Sequence, residues 1–181
     1  RVAAVPAAGA RPEIWMLGSS DHTARIAAAK GLPFAFAHHL APAAAVDAVA
    51  AYRAGFQPSR ACPRPRVLIS VAVIVAESDE CAQLLAGSHR MRFARRAQGR
   101  PIRLPSPETA ERYGFAAEQR ADGNIREVLA GTAITLTATV EALAKSTGAE
   151  EVMVKTEVFD HRDRRRSFEL LMDQVSRGAT L

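Results

Sequence analysis

Residues 67–76 are apolar at every position except Ser70. An almost unbroken apolar run is typical of a parallel β-strand covered on both faces, because a strand with one wet face alternates apolar and polar residues. Parallel neighbours must be joined by long crossover connections, which are usually helices. The run therefore predicts an α/β fold in which strands alternate with helices.

Strand-like and helix-like stretches alternate along the chain and predict four strand–helix units. The predicted strands cover residues 13–17, 34–37, 67–76 and 151–158. The predicted helices cover residues 21–30, 42–54, 78–98, 132–145 and 162–175. Four parallel strands with right-handed crossovers make a small open sheet or half of an eight-stranded barrel. We expect residues 1–181 to form a single α/β domain.

Apolar residues at helical spacing predict which helix faces are buried. These residues are Ala45, Val49, Tyr52 and Phe56; Cys81, Leu84 and Leu85; Leu136, Val140, Leu143 and Ala144; and Phe168, Leu171 and Val175. Gly31 and Gly148 are expected to end their helices, since glycine readily adopts the left-handed conformation of a helix stop.

The segment 99–131 differs from the rest because it is rich in proline, glycine and charge. A long connection with little regular structure is uncommon inside a compact domain, where it is usually an active-site lid or disordered. We interpret it as lid-like, with a short helix near residues 125–129.

Composition favours a folded protein: 48% of residues are hydrophobic and 24% are charged. The net charge of +5 comes mainly from arginines in residues 90–100 and 162–166. Such runs can bind nucleic acid, but these lack interleaved aromatic residues and are interpreted as solvated helix faces.

Cys62 and Cys81 are too few for a disulfide framework or a zinc site, so a reducing compartment, the cytoplasm, is expected. No apolar run reaches the length of a membrane span, and the first residues do not resemble a signal peptide.

The strongest chemical signal is the stretch Leu17, Gly18, Ser19, Ser20, Asp21, His22 and Thr23, between a predicted strand and its helix. In parallel α/β folds, ligands bind at the carboxyl ends of strands, and the free amides of a helix start attract anions. Glycine allows close approach and the hydroxyls add donors, so the stretch predicts a phosphate cradle. Its alternative interpretation is a simple helix cap. The glycine spacing matches neither a Walker loop nor a dinucleotide fingerprint.

Three histidines follow predicted strands: His38, His39 and His161. Each could line a pocket, although a structural hydrogen-bonding role is the more common one. Adjacent strand residues point to opposite faces, so His38 and His39 are not expected to share a metal. No metal site is predicted.

Three separated stretches match one known family in order and spacing. The first runs from Pro12 through Gly18, Ser19 and Ser20 to His38; the second joins Tyr52 and Arg53 to Phe56 and Ser59; the third comprises residues 151–154, 160–161 and 166–171. Together they resemble the bacterial-luciferase-like flavin-dependent monooxygenases, over nearly the whole chain.

This resemblance implies a (βα)8 barrel, of which the chain supplies the carboxyl-terminal half. It also implies reduced FMN from a separate flavin reductase, O2, an organic substrate such as an aldehyde, and a homodimer. By position, Leu17, Gly18, Ser19, Ser20 and Thr23 match the family's flavin-phosphate loop, and residues 99–131 match its mobile loop. Four strands of the barrel would precede this chain. No residue is identified as the catalytic acid or base.

Two further functions fit the same sequence. One is a deazaflavin-dependent oxidoreductase on a related barrel, which would transfer hydride without O2. The other is an inactive half-barrel that binds a phosphate ligand or a partner chain. A half-barrel would expose the apolar inner face of its strands, so we expect that face to be covered by four more units or by a second copy.

Overall fold

The structure is a computed structural model that describes residues 12–115 and 128–178. Its strands are β1 (Met16–Gly18), β2 (Phe34–Ala37), β3 (Val67–Val75), β4 (Leu129–Gly131) and β5 (Glu151–Lys155). Its helices are α1 (Asp21–Ala29), α2 (Ala45–Ala54), α3 (Asp79–Ala97), α4 (Pro107–Arg112), α5 (Ala133–Thr147) and α6 (His161–Ser176). Two short 3-10 turns, His38–Leu40 and Pro42–Ala44, connect β2 to α2.

All strand pairs are parallel, which confirms the predicted α/β fold. β3 is the centre of the sheet: it pairs with β2, with β5 along residues 68–72, and with β4 along residues 73–75. β1 pairs with β2 at the far edge. The order β1-β2-β3-β5 is that of four successive parallel units, as half of a barrel requires.

The segment 99–131 contains more regular structure than predicted, since α4 and β4 lie within it. Three strand residues are too few to show a period, so β4 had no readable signal. α4 did have one, because Ser106 caps it and Pro107 occupies its first turn. Of the short helix predicted near residues 125–129, residues 125–127 lie outside the described residues and Leu129 belongs to β4.

Two apolar clusters cover the two faces of the sheet. The larger lies between the sheet and helices α1, α2, α5 and α6, and β3 contributes its odd-numbered residues to it, including Val71 and Val73. The smaller packs Ala82 and Leu85 of α3 against Ile74, on the opposite face of β3. We call this second face the inner face. Leu17 lies on it at one sheet edge and Met153 at the other, 64% and 55% exposed.

Half of the fourteen predicted core positions are buried and five are half-buried, and two predictions are wrong. Cys81 is exposed, because α3 faces the sheet through Ala82 and Leu85 instead. Phe168 is 38% exposed, because its neighbour Ser167 takes the inward position. The Ser167 hydroxyl accepts a hydrogen bond from the Val75 amide at 2.8 Å, so a polar residue satisfies the end of β3 where an apolar one could not.

Residues that carried the family resemblance tie separate elements together. The Tyr52 hydroxyl donates to the Leu32 carbonyl at 2.9 Å and accepts from the Arg66 amide at 3.2 Å. Arg53 donates to the carbonyl of Thr147 at the end of α5. These contacts hold α2 against the start of β3 and the end of α5. Among the described helices, none is long and apolar enough to cross a membrane.

Candidate anion-binding site

The junction between β1 and α1 is built as a capped helix start. Ser20 is the N-cap in extended conformation, and its side chain accepts from the Thr23 amide at 3.4 Å. The two hydroxyl oxygens, Ser20 Oγ and Thr23 Oγ1, lie 3.3 Å apart. The cap therefore satisfies one of the four amides that a helix start leaves unpaired.

The amides of Asp21 and His22 lie in the first turn of α1, where a helix supplies no intrahelical acceptor. They stand at the positive end of the α1 dipole, where an anion is favoured. Ser20 is exposed and Ser19 is half-buried, so the hydroxyls are accessible from solvent. The Asp21 carboxylate would oppose an anion, but it pairs with Arg25 at 2.7 Å on the exposed surface of α1.

A glycine is required at position 18 because a side chain would clash with a neighbour, and not because of its backbone φ angle. A Cβ at this position would lie 2.4 Å from both Cβ and Cγ2 of Thr23, closer than real contacts allow. The strand end and the first turn of α1 thus approach each other as closely as a missing side chain permits. Any larger residue would push Thr23 out of the junction.

Two other helix starts show what is and is not special here. Ser106 and Thr109 repeat the same cap at the start of α4, with hydroxyls 3.1 Å apart, so the cap geometry alone indicates no ligand. At the junction of β4 and α5, the Thr132 amide donates to Asp79 Oδ1 at 3.0 Å. That second strand–glycine–cap junction already holds a carboxylate of the chain itself. At the β1 junction Ser19 separates Gly18 from the N-cap Ser20, and neither serine is buried.

Two of the predicted histidines have contacts outside this junction. His39 lies in the turn after β2, and its Nδ1 is 3.2 Å from the Ser70 carbonyl oxygen. His161 begins α6, exposed, with Nδ1 2.9 Å from Arg164 Nη2. No group of three or more metal-ligating side chains occurs among the described residues.

A cluster that sequence reasoning missed follows β5 at the same end of the sheet. Glu157 Oε1 lies 2.8 Å from Lys155 Nζ and 3.5 Å from Arg92 Nη2, and Glu157 Oε2 lies 3.2 Å from His89 Nδ1. The contact with His89, aided by Lys155 and Arg92, outweighs burial and lowers the pKa of Glu157 to about 2. Burial lowers the pKa of His89. The available signal was the i, i+3 spacing of His89 and Arg92 on a predicted helix.

Comparison with known proteins gives the family. The luciferase-like monooxygenase profile matches residues 1–168, nearly the whole chain. The chain belongs to the luciferase-like monooxygenase family. It is 39% identical over 175 residues to the uncharacterised protein YvbT of Bacillus subtilis, covering 96% of this chain and 52% of that protein. It is 34% identical over 171 residues to a luciferase-like monooxygenase of Escherichia coli K12, covering 93% and 51%.

Solved structures show the same fold for this luciferase-like chain. Apo-MsnO8 superposes with a TM-score of 0.86 at 34% identity, over 95% of this chain and 53% of that one. The oxygenating constituent of 3,6-diketocamphane monooxygenase from Pseudomonas putida, solved with FMN, superposes with a TM-score of 0.53 at 19% identity, over 91% and 47%. The chain thus spans about half the length of the relatives it matches, as the half-barrel interpretation requires.

Proposed function

We propose that this chain holds the phosphate of FMN for a flavin-dependent monooxygenase that uses reduced flavin and O2 on a small organic molecule. The observation that carries the proposal is the β1–α1 junction, where the first amides of α1 and the Ser19, Ser20 and Thr23 hydroxyls lie together and Gly18 lets the strand end approach Thr23 closely. Family membership supplies the cofactor class, and the FMN complex of a protein with the same fold agrees with it.

The residues present fit a phosphate group. Leu17 and Gly18 bring the strand end to the site, Ser20 caps α1, and Ser19 and Thr23 present hydroxyls. The β4–α5 junction supports this fit, because there the amide of the N-cap Thr132 holds the Asp79 carboxylate. Bound reduced flavin would supply the electrons with which O2 is activated. The role of this chain would be to bind and orient the cofactor.

The remaining parts of the proposal rest on the family resemblance. They are an aldehyde or similar organic substrate, a separate flavin reductase, and a second copy of the chain as partner. Residues 99–131, with α4 and β4, would cover the site as a lid. The exposed inner-face residues Leu17 and Met153, one at each edge of the sheet, support a barrel completed by further strands.

Paired alanine substitutions test the phosphate site. Ser20→Ala removes a helix cap and one phosphate donor, whereas Ser106→Ala removes a cap of the same geometry on α4. Each is expected to cost about 1 kcal/mol of stability. Only Ser20→Ala should weaken FMN binding, by about 1–2 kcal/mol or 5- to 30-fold. Flavin fluorescence quenching measures the dissociation constant, and thermal unfolding measures the cost of each cap.

Equal FMN affinities in the two variants would contradict the proposed site. They would leave Ser20 as a cap and nothing more. Ser19→Ala provides an independent check, since no hydrogen bond of the Ser19 hydroxyl is seen in the part of the chain that the structure describes. It should weaken FMN binding without a measurable loss of stability.

A further inference from the structure

Buried polar atoms without a hydrogen-bond partner are concentrated in two dipeptides. Ser88 and His89 lie on α3, and Thr156 and Glu157 follow β5. In the described ranges, six buried side-chain atoms lack such a partner, and five of them belong to these four residues. An unpaired buried polar atom costs roughly 1–3 kcal/mol, so native proteins rarely leave several together without a water, an ion or a ligand nearby.

His89 is at the centre of this concentration. Its side chain is 3% exposed, and Nδ1 lies 3.2 Å from Glu157 Oε2. The contact does not meet hydrogen-bond geometry, so Nδ1 and Oε2 both count among the unpartnered atoms. Lys155 and Arg92 hold the other oxygen of Glu157, so the carboxylate is fixed from the side opposite to the imidazole.

Charge decides how the protons are placed. Burial lowers the pKa of His89, and the contact with His89 together with the two cations holds the pKa of Glu157 near about 2. At neutral pH the imidazole is therefore neutral and the carboxylate is ionised. An ionised carboxylate only accepts hydrogen bonds, so the single ring proton belongs on Nδ1. Nε2 is then a bare acceptor, buried and unpartnered within the described residues.

The cluster lies at the carboxyl ends of the strands, on the inner face. Val152 and Val154 pack toward the face covered by α1, α2, α5 and α6. Because neighbouring strand residues point to opposite faces, Lys155 lies on the inner face. α3 covers that same inner face beside Ile74. Three strand spacings of ~4.8 Å separate β1 from β5 and put this cluster about 14 Å from the Ser20 junction, at the same end of the sheet.

We propose that His89 and Glu157 form a proton-accepting pair for an O–H or N–H group of the organic ligand bound at this end of the sheet. The ligand's O–H or N–H bond breaks, its electron pair stays on the ligand atom, and a new N–H bond forms at His89 Nε2. The Glu157 carboxylate balances the imidazolium, as in other carboxylate–histidine pairs. Lys155 and Arg92 act as positioning residues. The proposal rests on the proposed function only for the presence of a ligand here.

The tautomer of His89 tests the pair without any ligand. In ¹⁵N-histidine spectra of the purified protein at pH 7, we expect two of the five histidines to carry a proton on Nδ1: His89, and His39, whose Nδ1 faces the Ser70 carbonyl. The His89 signal should vanish in His89→Gln and persist in the control His161→Gln, whose ring is exposed. Glu157→Gln should move the proton to Nε2. The proposed pair would be contradicted if wild-type His89 carried its proton on Nε2, or if Glu157→Gln left the position of that proton unchanged.

Turnover with reduced FMN and decanal, whose hydrate in water carries O–H groups, separates this inference from the proposed function. His89→Gln should leave the dissociation constant of FMN within twofold, lower kcat by at least about tenfold, and flatten the acid limb of the pH profile. Failure of the wild-type protein to bind FMN would refute the proposed function. The ¹⁵N measurement of the His89 tautomer would still test the His89–Glu157 pair. Binding of FMN with an unchanged pH profile in His89→Gln would refute the pair alone.

Discussion

At the scale of single residues, the account depends on Gly18 more than on any hydroxyl. Its φ is not in the left-handed region, so the constraint is the 2.4 Å approach that an added Cβ would make to Thr23. Glycine at this place lets the end of β1 come close to the first turn of α1. Sequence reasoning found the junction but could not tell a cradle from a cap, because both use a serine before a helix.

Gly18→Ala should therefore disrupt the site while leaving the fold intact. The added methyl displaces Thr23, and we expect FMN affinity to fall at least tenfold, about 1.4 kcal/mol. Gly55→Ala is the matched control, since its Cβ would meet the nearest atom at 3.5 Å, an ordinary contact. Calorimetric titration with FMN measures both. A Gly18→Ala protein that binds like Gly55→Ala would remove the steric argument.

Protonation of the Glu157 cluster gives a second residue-scale expectation. The pKa of Glu157 is lower in the folded protein than its usual 4.5, so this stabilisation is present above pH 4.5 and is lost as the pH falls toward 2. The pKa of His89 is also lowered, so folding loses further stability as the pH falls below about 6.5.

Urea unfolding at pH 7, 5 and 3 checks this sign. Glu157→Gln should lower the free energy of unfolding by roughly 2 kcal/mol at pH 7. The loss should be much smaller at pH 3, where the wild-type carboxylate is becoming protonated and stabilises the fold less. A cost that does not change with pH would show that the side chain matters for packing and not for charge.

At the scale of elements, long periodic stretches were predictable and short ones were not. The bounds of β2 and the extent of α3 followed from apolar pattern and caps. β4 was missed because its three residues carry no period. The inward Ser167 could not be foreseen, since the unpaired Val75 amide that it serves is visible only in three dimensions. The same limit hid the approach of His89 to Glu157.

The stop of α5 shows one element-level prediction that the structure confirms. Gly148 ends the helix with φ +63, and a Cβ there would lie 2.5 Å from Arg53 Nη1, which in turn donates to the Thr147 carbonyl. Gly148→Ala should cost about 1–2 kcal/mol in chemical unfolding. Gly99→Ala is the control, because it has φ +71 and open space around it, so it reports the backbone strain alone. Equal costs would mean that the contact with Arg53 contributes nothing.

At the scale of the whole molecule, β1 and β5 are edge strands of the sheet that the described residues form, and its inner face exposes Leu17 and Met153. The chain spans about half of its relatives, so the half-barrel follows from length as well as topology. One arginine run lies elsewhere: residues 162–166 are exposed on α6, which follows β5 at the sheet edge opposite to β1. Arg164→Ala or Arg165→Ala should change FMN affinity by less than twofold, and a larger effect would place the cofactor differently.

The most direct test of the phosphate site compares FMN with riboflavin, which lacks only the phosphate. The two dissociation constants should be measured by titration calorimetry on the same protein. If the β1–α1 junction holds the phosphate, FMN should bind at least tenfold more tightly than riboflavin, and Ser20→Ala and Gly18→Ala should narrow that ratio. Equal affinities for FMN and riboflavin, or a ratio that neither substitution changes, would contradict the account.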